Sequence, residues 1–111
     1  MTTDVYDFYS DLAAEAPIPD RGIHSQTLST ADGVELVLFA MAAGERLSEH
    51  TSARPAIVHV LAGAGELVVA ADHHSLGPGS WLQMAARTPH EITARDGLVF
   101  ALYLLPAGND V

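Results

Sequence analysis

The sequence contains no cysteine. That excludes disulfides, thiolate metal sites and a cysteine nucleophile. Basic residues are scarce: five Lys and Arg stand against fourteen Asp and Glu, for a formal net charge of −9. A chain this acidic repels phosphate backbones and anionic lipids, so neither nucleic acid nor a membrane surface is an expected partner. No apolar run reaches the length that spans a bilayer. The first residues carry Asp4, Asp7 and Asp11 rather than a basic stretch followed by an apolar one, which is not the pattern of a secretion signal. The expected location is the cytoplasm. A phosphate-cradling glycine loop is also lacking. Gly77-Pro78-Gly79 precedes an expected strand, so it offers no helix N-terminus to an anion. No Ser-His-Asp arrangement stands out.

What is present is enough apolar material for a core. Of 111 residues, 49% are hydrophobic. The length fits one domain, with an N-terminal helix and extension over 1–20 and a barrel over 21–108. Val5, Phe8, Tyr9 and Leu12 fall at helical spacing, Thr2 or Thr3 can cap, and Pro17 and Pro19 stop the helix. From Gly22 onward the pattern changes to short strands between turn residues: 23–28, 34–41, 47–52, 56–61, 66–71, 80–84, 89–94 and 98–105. Turns are expected at 72–75 and at Arg95-Asp96-Gly97. Many short, evenly spaced strands indicate an all-β sandwich or barrel. The segments 34–41 and 98–105 are apolar on both faces. Their outer faces therefore need a cover, either the N-terminal helix or a second subunit, and a homodimer is expected.

The stretch from Gly44 to His90 resembles the cupin superfamily, in the form of a small single-domain, RmlC-like jelly-roll barrel. Gly44, His50 in "ERLSEHTS" and Gly63 in "VHVLAGAGE" follow the spacing of the first cupin motif. The run "LGPGSWLQMAARTPHEI", with Gly79 opening a strand and Pro89-His90 closing a loop, follows the second. The resemblance implies a double-stranded β-helix with a short N-terminal α-helix. It also implies a divalent transition metal (Fe, Mn, Ni, Cu or Zn) held by three or four side chains. Two departures stand in the first motif, where Ser52 occupies the second histidine position and Ala56 the glutamate position. In the second motif, Ala85, Arg87 and Ala94 replace the usual proline, glycine and asparagine. His50 and His90 keep their places as metal ligands.

Two imidazoles alone bind a metal weakly. His59 is the remaining candidate ligand. Strand alternation turns it outward if Ala56 points in, and a single β-bulge would reverse that. Ser52 shares the face of His50 and is a polar pocket residue. Val58, Val60, Leu82 and Met84 are expected to line an apolar pocket, and Gln83 is weighed between that pocket and an exposed position. Glu49 and Glu91, next in sequence to the histidines, face away. His24, His73 and His74 read as structural or loop residues. Two functions follow. One is an enzyme of oxygenase, isomerase or lyase type, in which His50 and His90 hold a metal or act as catalytic bases on a small organic molecule. The alternative is a non-catalytic barrel that binds or senses a small molecule after decay of the metal site.

Overall fold

The computed structural model describes residues 5–107. Seven strands account for most of them: β1 (Ile23–Ala31), β2 (Val34–Met41), β3 (Arg46–His50), β4 (Ala56–Val69), β5 (Asp72–Leu76), β6 (Trp81–Met84) and β7 (His90–Leu104). All pairings are antiparallel. β4 and β7 pair along almost their whole length and run through both layers of a jelly roll. The C-terminal half of β7 and the N-terminal half of β4 join β2, β1 and β6. The other halves join β3 and β5. No helix among the described residues is long and apolar enough to cross a membrane.

The interior between the layers holds Met41, Ala56, Val58, Val60, Leu67, Met84, Ile92, Leu98 and Phe100. Phe100 stacks on Phe39 with ring centroids 4.9 Å apart. Strand alternation explains the assignment: Leu98 and Phe100 face in, while Val99 and Ala101 face out. The outward set joins Leu36, Leu38 and Ala40 in a second apolar cluster. Leu12 and Ala16 of the same chain pack there, so part of the cover for the two-faced strands comes from within one subunit.

The N-terminal segment differs from the expected helix. Among its described residues it forms one 3₁₀ turn, Leu12–Glu15, and Val5 and Phe8 of the expected stripe are exposed. A helix of two or three turns is marginal without tertiary support. Here the tertiary contacts favour another path along β1. The Tyr9 hydroxyl donates to the Leu28 carbonyl, Ser29 Oγ donates to Asp7, and Gln26 Nε2 donates to the Glu15 carbonyl. Thr2, Thr3 and Asp4 lie outside the described residues.

Two expected breaks, between segments 56–61 and 66–71 and at Arg95-Asp96-Gly97, are absorbed into strands. β4 continues through Gly63 and Gly65, and β7 continues through Arg95-Asp96-Gly97, with register shifts at Val60/Ala62 and Gly63/Gly65. The expected turn at 72–75 is strand β5, and the reversal falls instead on Ala70 and Ala71, both at positive φ. Arg54 fastens the opposite end. Its guanidinium reaches the Gly33, Leu104 and Leu105 carbonyls and pairs with Glu35 at 2.7 Å.

Candidate functional site

His50 closes β3 and His90 opens β7, and the two are cross-strand partners. A bulge creates that pairing. Leu47 stands opposite Ile92, and regular alternation would then place Glu49 opposite His90. The extra residue in β3 advances the register, so His50 takes the inward place. The ring centroids lie 4.2 Å apart at a tilt of 59°. His50 Nδ1 lies 2.8 Å from the Ser48 carbonyl and His90 Nδ1 lies 2.9 Å from the Thr88 carbonyl. A carbonyl only accepts, so each Nδ1 carries the proton and donates it. In the uncharged rings the Nε2 lone pairs are then left for other partners.

Burial separates the two rings. His90 is only 7% exposed, while His50 is exposed. Burial holds the His90 imidazole below its ordinary 6.5 by disfavouring the cation. The hydrogen bond to Thr88 opposes the shift, and the neighbouring charge of a protonated His50 adds to it. The sign for stability follows by linkage. Above pH 6.5 the ring is neutral in both folded and unfolded chains, and the folded state keeps its full stability. As pH falls through 6.5 the unfolded chain takes up the proton first, so stability is lost. The melting temperature should therefore drop between pH 7.5 and pH 5 more steeply in the native chain than in His90→Gln. Equal slopes in the two proteins would rule this out.

The space beside the buried His90 is small. A recess of about 10 Å³ touches His90, lined also by Ser52, Arg54, Ala56, Met84, Ala85 and Thr88. That is about the room for one water molecule. The Ser52 hydroxyl accepts from the Arg54 amide at 3.1 Å, and the Ser52 carbonyl holds the loop through the Arg87 amide. Val60 and Met84 are buried in the core. Gln83 takes the exposed position: it stands opposite Ile57 and lines neither this recess nor the larger cavity.

His59 is on the other face. It pairs with Ala101, a member of the outer apolar cluster, and with the exposed Trp81. The bulge that would reverse its direction exists, but it falls after Val60, too late in the strand to turn His59 inward. Glu91 pairs with Arg46 at 2.9 Å. Ala56 supplies no donor atom. Among the described residues no three His, Asp or Glu side chains are grouped to hold a metal ion. A transition metal of the kind expected for this barrel needs three or four protein ligands, and the donor set here offers two. The residues present do not fit that group.

A larger opening lies elsewhere. Between the edges of β5 and β6 a cavity of about 290 Å³ is lined by Val58, Leu67, Leu76 and Leu82, with His74, Ser75, Ser80 and Trp81 at its rim. Val58 and Leu82 were expected at a pocket. Leu67, Leu76, Ser80 and Trp81 were not, and neither were His74 and Ser75, because 72–75 reads as a turn. The signal that would have found them is the shared parity of His74 and Leu76.

The two-layered antiparallel barrel with paired β4 and β7 defines a cupin-type jelly roll. Solved structures agree. A conserved protein of unknown function from Streptococcus pyogenes superposes with a TM-score of 0.82 at 22% identity, covering 94% of this chain and 91% of that one. A cupin superfamily protein from Desulfitobacterium hafniense gives 0.82 at 22% identity, covering 91% and 93%. An RmlC-like cupin from Desulfovibrio desulfuricans gives 0.79 at 20%, covering 91% and 98%. No protein-family model and no curated protein matches the sequence. The chain has the cupin fold.

Proposed function

We propose that this chain is a cupin barrel that binds a small organic molecule and needs no resident metal for it. The observation that supports the reading most is the contrast between the recess at His90 and the β5–β6 cavity. His90 abuts space for about one water, whereas the β5–β6 cavity of about 290 Å³ reaches core residues. Small-molecule sites are concave and mostly apolar, with a few placed polar groups, and about 300 Å³ is the lower end of their range. Val58, Leu67, Leu76 and Leu82 supply the apolar lining, and His74 and Ser80 supply polar groups. The reading includes a cytoplasmic homodimer, whose mass sedimentation velocity would give.

A second reading has one observation in its favour. His90 is buried, its Nδ1 is committed to Thr88, and its Nε2 lone pair is held uncharged near neutral pH. Those are the properties of a general base. An enzyme of that kind would have to widen the recess to admit substrate.

Two measurements test the proposal. Tag-free protein, incubated with zinc, iron, manganese, copper and nickel salts and then dialysed, should retain well under one equivalent of any metal. A stoichiometric metal lost in His50→Ala would overturn the metal-free reading. A survey of small apolar fragments by amide NMR should give shifts clustered at Val58, Leu67, Leu76 and Leu82. Shifts confined to His50 and His90 would favour the catalytic reading, and no shifts at all would remove the binding function.

A further inference from the structure

Each layer of the barrel ends in two strands with a single neighbour. β1 and β6 close one layer, and β3 and β5 close the other. A bare strand edge invites pairing with another chain, and proteins blunt it by shortness or by charge. β6 has four residues, β5 begins on Asp72, and β3 carries Arg46 and Glu49. β1 has nine residues, and none of them is Asp, Glu, Lys, Arg or Pro. Its His24, Ser25, Gln26 and Thr27 are exposed.

The groups that face this edge can be named. The Ala42 amide donates to the Gly22 carbonyl at 3.0 Å, so Gly22 and Ala42 form a hydrogen-bonded pair. Such pairs alternate along an antiparallel ladder. His24 and Gln26 therefore bond to β2, while the N–H and C=O groups of Ile23, Ser25 and Thr27 point away from it. Those groups have no backbone partner among the described residues. Gly22, at φ 86°, bounds the run on one side, and the register shift between Thr27 and Ser29 bounds it on the other.

A second copy of the same edge fits it. Laid antiparallel about Ser25, Ile23 of each copy faces Thr27 of the other, and Ser25 faces Ser25. That gives about six backbone hydrogen bonds. Sliding the copies by two residues loses one of the facing pairs. Side chains match in the same register. His24 faces Gln26 of the other copy. Gln26 Nε2 is committed to the Glu15 carbonyl, which leaves Oε1 to accept from the imidazole. At the end of the run, Arg21 comes to Ser29 of the other copy, whose Oγ holds Asp7. Arg21 is exposed and takes no part in the three ion pairs among the described residues. Tyr6 and Phe8 flank Asp7 and are 74% and 77% exposed, at the place that the second copy would cover.

We propose that two copies of this chain join through β1, antiparallel about Ser25, into one continuous sheet, with Arg21 of each copy paired to Asp7 of the other. The inference rests on the homodimer of the reading above and names the surface that makes it.

Sedimentation velocity of the full chain gives the dimer dissociation constant, and amide hydrogen exchange above and below that concentration reads the edge. The Ile23, Ser25 and Thr27 amides should exchange at least about tenfold more slowly in the dimer. Ser25→Pro removes the N–H at the centre of the contact. That N–H makes no bond to β2, so the edge accepts proline there. The dissociation constant should rise at least about thirtyfold, the worth of the two hydrogen bonds lost. Arg21→Glu should raise it about tenfold, and adding Asp7→Lys should restore most of the loss. This charge exchange decides the matter if Ser25→Pro fails to fold. A dimer whose three amides exchange freely, or one that Arg21→Glu leaves intact, would overturn the β1 contact while the homodimer stands. A chain that sediments as a monomer at every concentration would overturn both.

Discussion

Replacing Gly63 by alanine is expected to leave little folded protein. Gly63 has φ +89°, a region that costs an L-residue about 1–2 kcal/mol. The larger cost is steric. A Cβ at this position would drive into the Gly97 carbonyl and the Leu98 backbone across the β4–β7 ladder. Backbone cannot rotate away as a side chain can, so β4 and β7 must separate where they cross from one layer to the other. A loss of at least about 4 kcal/mol is expected, which is most of the stability of many domains this size. Gly44→Ala is the matched control. Gly44 has φ +82° but nothing within 4 Å of its added carbon, so only the backbone cost should show. Chemical denaturation of the two variants separates strain from collision. Similar losses in both would show that the close approach is relieved by small movements.

Phe100→Ala should have the next largest effect, at about 3–5 kcal/mol. Phe100 is 1% exposed, lies on β7 between β2 and β4, and stacks on Phe39. Truncation removes the ring and leaves a void that close-packed neighbours refill only in part. Phe39, half-buried at its edge, should tolerate leucine with a smaller loss. Urea unfolding of both variants gives the comparison. A Phe100→Ala loss below about 1 kcal/mol would mean that Leu98, Leu102 and Val60 collapse into the space.

The cupin fold was legible because its main signals are local. The apolar run 34–41 matches β2 end to end, and the turn at Asp32-Gly33 connects β1 to β2 as a hairpin. The failures share a cause. The β4–β5 reversal is made by Ala70 and Ala71 at φ 49° and 74°, and alanine carries no turn signal. The expected turn was therefore placed on the following residues, and His74 was taken for a loop histidine. Arg95-Asp96-Gly97 does carry a turn signal, but pairing resumes on both sides of it, so it serves as a bulge.

The candidate site was legible in its residues more than in its space. The family motif brought out His50 and His90, which are 40 positions apart in the sequence and pair in the structure. Their meeting depends on a bulge in β3 that no residue pattern announces. The closure of the recess beside His90 depends on how Met84 and the Ser52–Arg87 contact fill it, which is a matter of packing. Gln83 was placed between two options, and its exposure follows from standing opposite Ile57 rather than beside the inward Met84.

The shared strands also set an order of assembly. Along the β4–β7 ladder the chain separation between partners more than doubles from Val69–His90 to Ala56–Leu104. Closing the shorter loop costs less entropy, and contacts between distant positions wait for it. Pairing should therefore start at the end that carries His90 and travel toward Arg54. The last contacts to form are then those that the guanidinium fastens, so Arg54 acts late, as a latch on a barrel already zipped from its other end.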